Sequence, residues 1–297
     1  MPSGAVNGVH IHRRAVPCRK GSGTKELSGR VGRSSLEMKR NAYLVTGVAG
    51  GIGSSIAARL LARGDVVIGT SRDKETADGW THDSNQFGVQ VDVSDFKATV
   101  DAVDAACSWC DANDASLRGG INCAGSVLLK PAHLTSRSEF DDVMTRNVTT
   151  SFSFVRAMAP ALRKTGGSIV LMSSAAATIG LAAHEGIAAA KAAVAGLTRS
   201  AAATYAANGI CVNAVAPGLV DTPLTKGITS HAAMLEASRE LHPLGRIGRT
   251  EDVVPVIAWL LSDEGSWTTG QIIGVDGGLA AAKARAARRP AKETVNG

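Results

Sequence analysis

No stretch of about 18 uninterrupted apolar residues occurs in the 297-residue chain. Its most apolar region, 175–198, is broken by His184, Glu185 and Lys191, so a membrane-spanning helix is not expected. Aromatic residues make up only 4% of the chain, with just two tyrosines, Tyr43 and Tyr205. Chemistry that relies on a phenol has only those two positions to draw on. The five cysteines (18, 107, 110, 123 and 211) are odd in number and scattered, without a secretory signal pattern. That argues against a disulfide framework and for a reducing compartment. Cys107 and Cys110 form a C-x-x-C in an amphipathic helical stretch, but no further Cys or His nearby completes a zinc tetrad. The pair reads as structural, and no metal site is expected.

Positive charge is scarce where it would matter. The formal net charge is +6, yet residues 1–37 hold seven Lys/Arg against two acids and 280–297 hold five against one, which leaves 38–279 at −3. A groove for nucleic acid needs basic charge on the folded surface. No nucleic-acid partner is expected. With 44% hydrophobic and 20% charged residues, the body reads as an ordinary globular domain.

Residues 1–37 are rich in Gly, Arg and Ser and show no hydrophobic period. They read as a disordered extension, or as a start assigned too far upstream of Met38. Being Arg-rich and acid-poor they also fit an organellar transit peptide, but they lack its amphipathic helix. A cytoplasmic protein is expected, organellar only if that segment is a genuine leader. Residues 280–297 read as a basic flexible tail.

From Asn41 onward, short apolar runs alternate with helical stretches. Strands are expected at 42–47, 65–71, 87–93, 119–125, 167–174, 209–218 and 270–278. Helices are expected at 52–63, 94–110, 136–163, 187–207 and 251–262. Continuously apolar strands separated by helices predict a parallel sheet covered on both faces. Right-handed crossovers then make 38–279 a single-domain doubly wound α/β (Rossmann) fold.

Between the first strand and helix stands "TGVAGGIG", with glycines at 47, 51 and 53 around Ile52. Glycine there lets the backbone turn sharply and approach a pyrophosphate, while the helix N-terminus offers free N–H groups and partial positive charge. The second strand closes on Thr70-Ser71-Arg72 rather than on the carboxylate that binds a ribose 2′-hydroxyl. Hydroxyls and a guanidinium suit a 2′-phosphate, so NADP is favoured, with NAD as the alternative.

The glycine loop, "NCAG" at 122–125, Asn147, Ser173-Ser174, Lys191 and "PG" at 217–218, in this order and spacing, resemble the classical short-chain dehydrogenase/reductase family. The likeness covers about 41–279 and leans toward 3-oxoacyl-acyl-carrier-protein reductases. It implies an NAD(P)-dependent oxidoreductase moving hydride between nicotinamide and a small-to-medium carbonyl or alcohol. By the same resemblance, Gly47, Gly51, Ile52 and Gly53 cradle the pyrophosphate, Ser71 and Arg72 close on the adenosine ribose, and Asp92 and Val93 meet the adenine. Asn122, Ala124 and Gly125 support the cofactor site. Pro217, Gly218 and Thr222 border the nicotinamide. Lys191 bonds its ribose, Ser174 polarises the substrate oxygen, and Asn147 holds a water of the proton relay. A homotetramer or homodimer through long Ala-rich helices is implied as well.

One position departs. The family places a tyrosine four residues before the lysine, where it protonates the carbonyl oxygen. Here, thirteen residues after Ser174, stands Ile187. Loss of a general acid costs about 10²–10⁴ in rate. Three readings stay open: His184, oriented by Glu185, replaces the acid; the substrate is an imine or enone that needs no tyrosine; or the protein binds nucleotide as a silent sensor or oligomer partner. Because Ser174, Asn147 and Lys191 are all retained, an active enzyme is favoured, with catalytic residues Ser174, Lys191, Asn147 and His184. The mixed segment 219–246 reads as a lid over the substrate.

Overall fold

The computed structural model describes residues 39–81 and 84–283; the expectations for 1–37, and for the tail beyond 283, lie outside them. Seven strands, β1 (Arg40–Thr46), β2 (Val66–Ser71), β3 (Gln86–Gln90), β4 (Ala115–Asn122), β5 (Gly167–Met172), β6 (Ile210–Pro217) and β7 (Ile272–Val275), form one sheet. Its order is β3-β2-β1-β4-β5-β6-β7, and every pairing is parallel.

The strands are apolar at successive positions because both faces are covered. In β1, Leu44 joins the core that holds Ile68, Phe154, Met158 and Leu171, while its neighbour Val45 joins the opposite core with Ile56, Ile121, Val170 and Ile257. All of these are essentially inaccessible to water. Each large side chain buried this way stabilises the fold by about 1.5–3 kcal/mol.

The covering helices are α1 (Gly51–Ala62), α2 (Lys74–Gly79), α3 (Phe96–Ala112), α4 (Arg137–Met144), α5 (Thr150–Leu162), α6 (Glu185–Tyr205), α7 (Lys226–Thr229), α8 (Ala232–Leu241) and α9 (Thr250–Leu260). Two differ from the sequence expectation. Helix α2 is a single short turn-and-a-half capped by Asp73, whose carboxylate accepts from Thr76 N–H. The stretch expected as one helix over 136–163 is two, joined by a π-helical segment at Thr145–Thr149. Within that segment the Asn147 side-chain amide donates 2.9 Å to the Val143 carbonyl, the acceptor an α-helical N–H of residue 147 would use. The chain leaves the sheet centre in opposite directions from β1 and β4, so the C-terminal ends of these two strands border the fold's natural crevice.

Candidate active site

At that crevice the glycine loop joins β1 to α1. Gly47 has φ +62°, and the Gly50 N–H closes the turn on its carbonyl at 2.9 Å. A Cβ on Gly53 would lie 2.1 Å from the Gly47 oxygen, and one on Gly51 would lie 2.7 Å from Thr222 Cγ2. Positions 51 and 53 therefore have no room for a side chain. Helix α1 carries no side-chain cap and no acidic residue in its first turn, so its positive end faces the crevice unopposed. This cradle fits a pyrophosphate. Beside it, the Thr70 hydroxyl is buried without a partner.

Ser71 ends β2 half-buried, and Arg72 follows it at the surface. Ser71 Oγ accepts from Asp73 N–H, and among the described residues the Arg72 guanidinium has no ion-pair partner. Asp92 is exposed, and its carboxylate accepts from Ser94 N–H and Oγ–H at 2.9 and 2.7 Å; those bonds hold its pKa below the usual carboxylate range. Val93, next to it, is buried. Asn122 is buried at the end of β4, where its Oδ1 accepts from Thr46 Oγ at 2.5 Å and from Ala124 N–H at 3.2 Å. Its Nδ2 donates to Thr150 and Ser151, so this amide ties two strands to α5. Pro217 ends β6, and the Gly218 N–H donates to Val275.

The chemistry-bearing side chains converge from β4, β5 and α6. Lys191 is buried, and its Nζ donates 2.9 Å to the Met172 carbonyl. Burial without a carboxylate partner lowers its pKa to about 8. The Cys123 thiol beside it is pushed up to about 12 by burial and stays protonated. Ser174 begins a 3-10 turn at Ala175–Ala177; its Oγ accepts from Ala176 N–H and keeps its own proton for another acceptor. Asn147 is wholly buried. Its Nδ2 donates to Val143 O and Ser126 Oγ, its Oδ1 accepts from Ser126 N–H, and its carbonyl accepts from Ser151 Oγ at 2.7 Å. A water-holding role for its side chain is thus not what this geometry favours, because the amide is committed to the protein.

Ile187 is buried against Val143, Ala190, Leu128, Met144 and Val148, one turn before Lys191 on α6. Tyr43 is buried within β1 and Tyr205 ends α6; neither lines the cavity. His184 caps α6 from a half-buried position, and its Nδ1 lies 2.7 Å from the Ala182 carbonyl. A carbonyl only accepts, so Nδ1 carries the proton. The orienting group is that carbonyl, where Glu185 was expected to serve.

A cavity of about 550 Å³ gathers Ile52, Ala124, Gly125, Ser126, Ser174, His184, Ile187, Lys191, Pro217, Gly218 and Thr222. Its remaining wall is mostly apolar, including Leu129, Leu181, Leu224, Ile228, Met234 and Leu241. Among the described residues, neither a carboxylate nor an arginine lines it, and Lys191 is its one lysine. The segment 219–246 supplies one side through α7 and α8. His242, buried just beyond α8, donates from Nδ1 to Ser238 O and accepts from Leu219 N–H at Nε2, which pins that helix to the end of β6. A larger groove of about 640 Å³ lies beside β1 between α1 and α9 and includes Tyr43, but it holds none of the candidate site residues. Two contributors escape sequence reasoning: Ser126 and His242 meet their partners only through folding, across 21 and 23 residues.

A doubly wound sheet with this glycine cradle and a serine and lysine at its C-terminal edge defines a nucleotide-dependent oxidoreductase. The chain belongs to the short-chain dehydrogenase/reductase family: the family model described as enoyl-(acyl carrier protein) reductase matches residues 47–280. Cis-4-hydroxycyclohexanecarboxylate dehydrogenase of Sinomonas cyclohexanicum is 38% identical over 246 residues, covering 80% of this chain and 96% of that protein. The 3-oxoacyl-acyl-carrier-protein reductase of Thermotoga maritima is 31% identical over 250 residues, 82% of this chain and 99% of its own. Among solved structures, ElxO with NADP bound matches with a TM-score of 0.74 at 28% identity, covering 82% of this chain and 99% of that one. A variant of ElxO with phenylalanine in place of a tyrosine is solved with NADPH bound.

Proposed function

We propose that this protein is an NADP-linked oxidoreductase of an uncharged, small-to-medium carbonyl compound or the matching alcohol, working without the family's tyrosine. When bound, the nicotinamide supplies or accepts hydride. Gly47, Gly51 and Gly53 hold the pyrophosphate at the α1 N-terminus, and the unpaired Arg72 with Ser71 receives the 2′-phosphate. Lys191 and the Pro217-Gly218-Thr222 segment hold the nicotinamide end. Ser174 polarises the substrate oxygen through a hydrogen bond from its free hydroxyl, and 219–246 closes over the substrate.

The observation that carries this reading is the single cavity in which Ile52 and Thr222, beside the glycine loop, share a wall with Ser174 and Lys191. Its apolar lining selects against a charged substrate, because burying a carboxylate there without an arginine costs several kcal/mol. In this the chain parts from its Sinomonas relative, whose named substrate carries a carboxylate. That a tyrosine-to-phenylalanine variant of ElxO is solved with NADPH bound is in keeping with cofactor binding by a chain that lacks a phenol in its cavity. The assembly is a homotetramer or homodimer, supported by exposed small residues on α6 (Ala192, Gly196), and the site of action is cytoplasmic; light scattering of the purified protein tests the first.

The reading is tested by following NADPH oxidation with uncharged ketones, aldehydes, imines and enones, each beside a carboxylate-bearing analogue. Turnover of uncharged compounds at least tenfold above the analogues is expected. NADPH binding without any turnover would mean a silent nucleotide-binding protein instead.

A further inference from the structure

The missing phenol leaves the substrate oxygen without a proton source, and the cavity contains a hydroxyl that no motif marks. Ser126 lines it next to Gly125, opposite Asn147. The Asn147 amide has one unambiguous orientation. Its oxygen faces the Ser126 N–H at 3.4 Å and its nitrogen faces the Val143 carbonyl at 2.9 Å. The same nitrogen donates to Ser126 Oγ at 3.2 Å. Ser126 Oγ is therefore an acceptor toward Asn147, and its own O–H must be directed elsewhere. Among the described residues it donates to no protein acceptor.

Lys191 stands at the same spot. A Cβ built on Gly125 would lie 3.0 Å from Asn147 Oδ1 and 3.6 Å from Lys191 Nζ, so the amide that clamps Ser126 and the buried ammonium converge on one glycine. His184 is the weaker candidate, because its Nδ1–H is committed to the Ala182 carbonyl.

We propose, resting on the oxidoreductase reading above, that Ser126 is a further catalytic residue whose hydroxyl passes a proton from Lys191 to the substrate oxygen. In the reducing direction the carbonyl carbon gains a hydride from the reduced nicotinamide, which is oxidised, and a C–H bond forms. The C=O π pair moves onto oxygen. The Ser126 O–H bond breaks and its proton joins that oxygen, while a Lys191 N–H proton passes to Ser126 Oγ. The neutral amine then regains a proton from water. The groups facing Lys191 are the protonated Cys123 thiol and the Met172 carbonyl; among the described residues no carboxylate is ion-paired with it.

The test compares wild type, Ser126→Ala, Ser126→Thr and His184→Ala on the uncharged carbonyl compound turned over best, with NADPH affinity followed separately by nicotinamide fluorescence. Ser126→Ala is expected to lower kcat by about 10²-fold, with NADPH affinity unchanged, and to abolish the fall of kcat above pH 8. Ser126→Thr, which keeps the hydroxyl, should stay within about fivefold of wild type with the same pH profile; a large loss of kcat in His184→Ala with Ser126→Ala unaffected would make His184 the acid and overturn the relay. Ser126→Ala with kcat within twofold, or with a lowered kcat but an unchanged pH profile, overturns the relay while leaving the enzyme reading intact. Wild type that binds NADPH yet turns nothing over removes both.

Discussion

Lys191 Nζ donates 2.9 Å to the carbonyl oxygen of Met172 and is ion-paired with no carboxylate among the described residues. An ammonium in that position is anchored by a dipole alone, and burial weakens its hold on the proton. Two consequences follow for pH. The cation that feeds the relay is present below about 8, so kcat for reduction should be flat up to that pH. Above it, kcat should fall about tenfold per unit for a single required proton. Without cofactor the sign for stability is opposite. Between about 8 and the ordinary 10.5 the unfolded chain binds the proton that the folded chain has lost, so this group makes stability rise with pH. Thermal melts from pH 7 to 10 should show a gain on the order of 1–3 kcal/mol that is absent in Lys191→Met.

Ile187 occupies the helix position of the family's acid, and its neighbours Val143, Ala190, Leu128, Met144 and Val148 form a small packed cluster. Ile187→Tyr should raise ketone reduction by roughly tenfold or more, through a phenol one turn from Lys191. The larger ring should destabilise the fold by about 1–3 kcal/mol through overpacking. Paired turnover and urea-unfolding measurements check both signs.

Arg72 has no ion-pair partner among the described residues, which leaves its guanidinium free for a phosphate. Arg72→Ala should weaken NADPH binding by about 10- to 100-fold, the loss of one charge-assisted contact. NADH binding should change less than threefold. Equal losses for both nucleotides in a fluorescence titration would remove the 2′-phosphate from the account.

Ala183 takes φ +60° just before the cap of α6, a conformation that costs a side-chain-bearing residue about 1–2 kcal/mol. Ala183→Gly should relieve part of that strain and raise the melting temperature by about 2–4 °C, although glycine's freer unfolded state offsets some of the gain. Calorimetry reads the result. An unchanged or lower melting temperature would show that the backbone is held there without penalty.

Much of this architecture is legible in the residues themselves. Runs such as "AYLVTG" and "GSIVLMSS" are apolar at consecutive positions, which only a doubly covered strand tolerates, and the three glycines at 47, 51 and 53 need close backbone approach whatever surrounds them. Helix α2 escapes because six residues are too few to show a period. The π segment escapes because its cause, the Asn147 amide on Val143, is a side-chain bond inside a stretch with ordinary helical spacing. Ser126 and His242 escape for a different reason: their meaning lies in partners 21 and 23 residues away, Asn147 and Leu219, brought to them by the chain's path and not by any local pattern.

The most direct test of hydride transfer without the tyrosine uses NADPH deuterated at nicotinamide position 4, on the face that is transferred, with the native protein and an uncharged ketone. Mass spectrometry of the product should find one deuterium on the former carbonyl carbon, in an amount matching the cofactor oxidised. Cofactor that binds yet delivers no deuterium to any carbonyl, imine or enone would contradict the account.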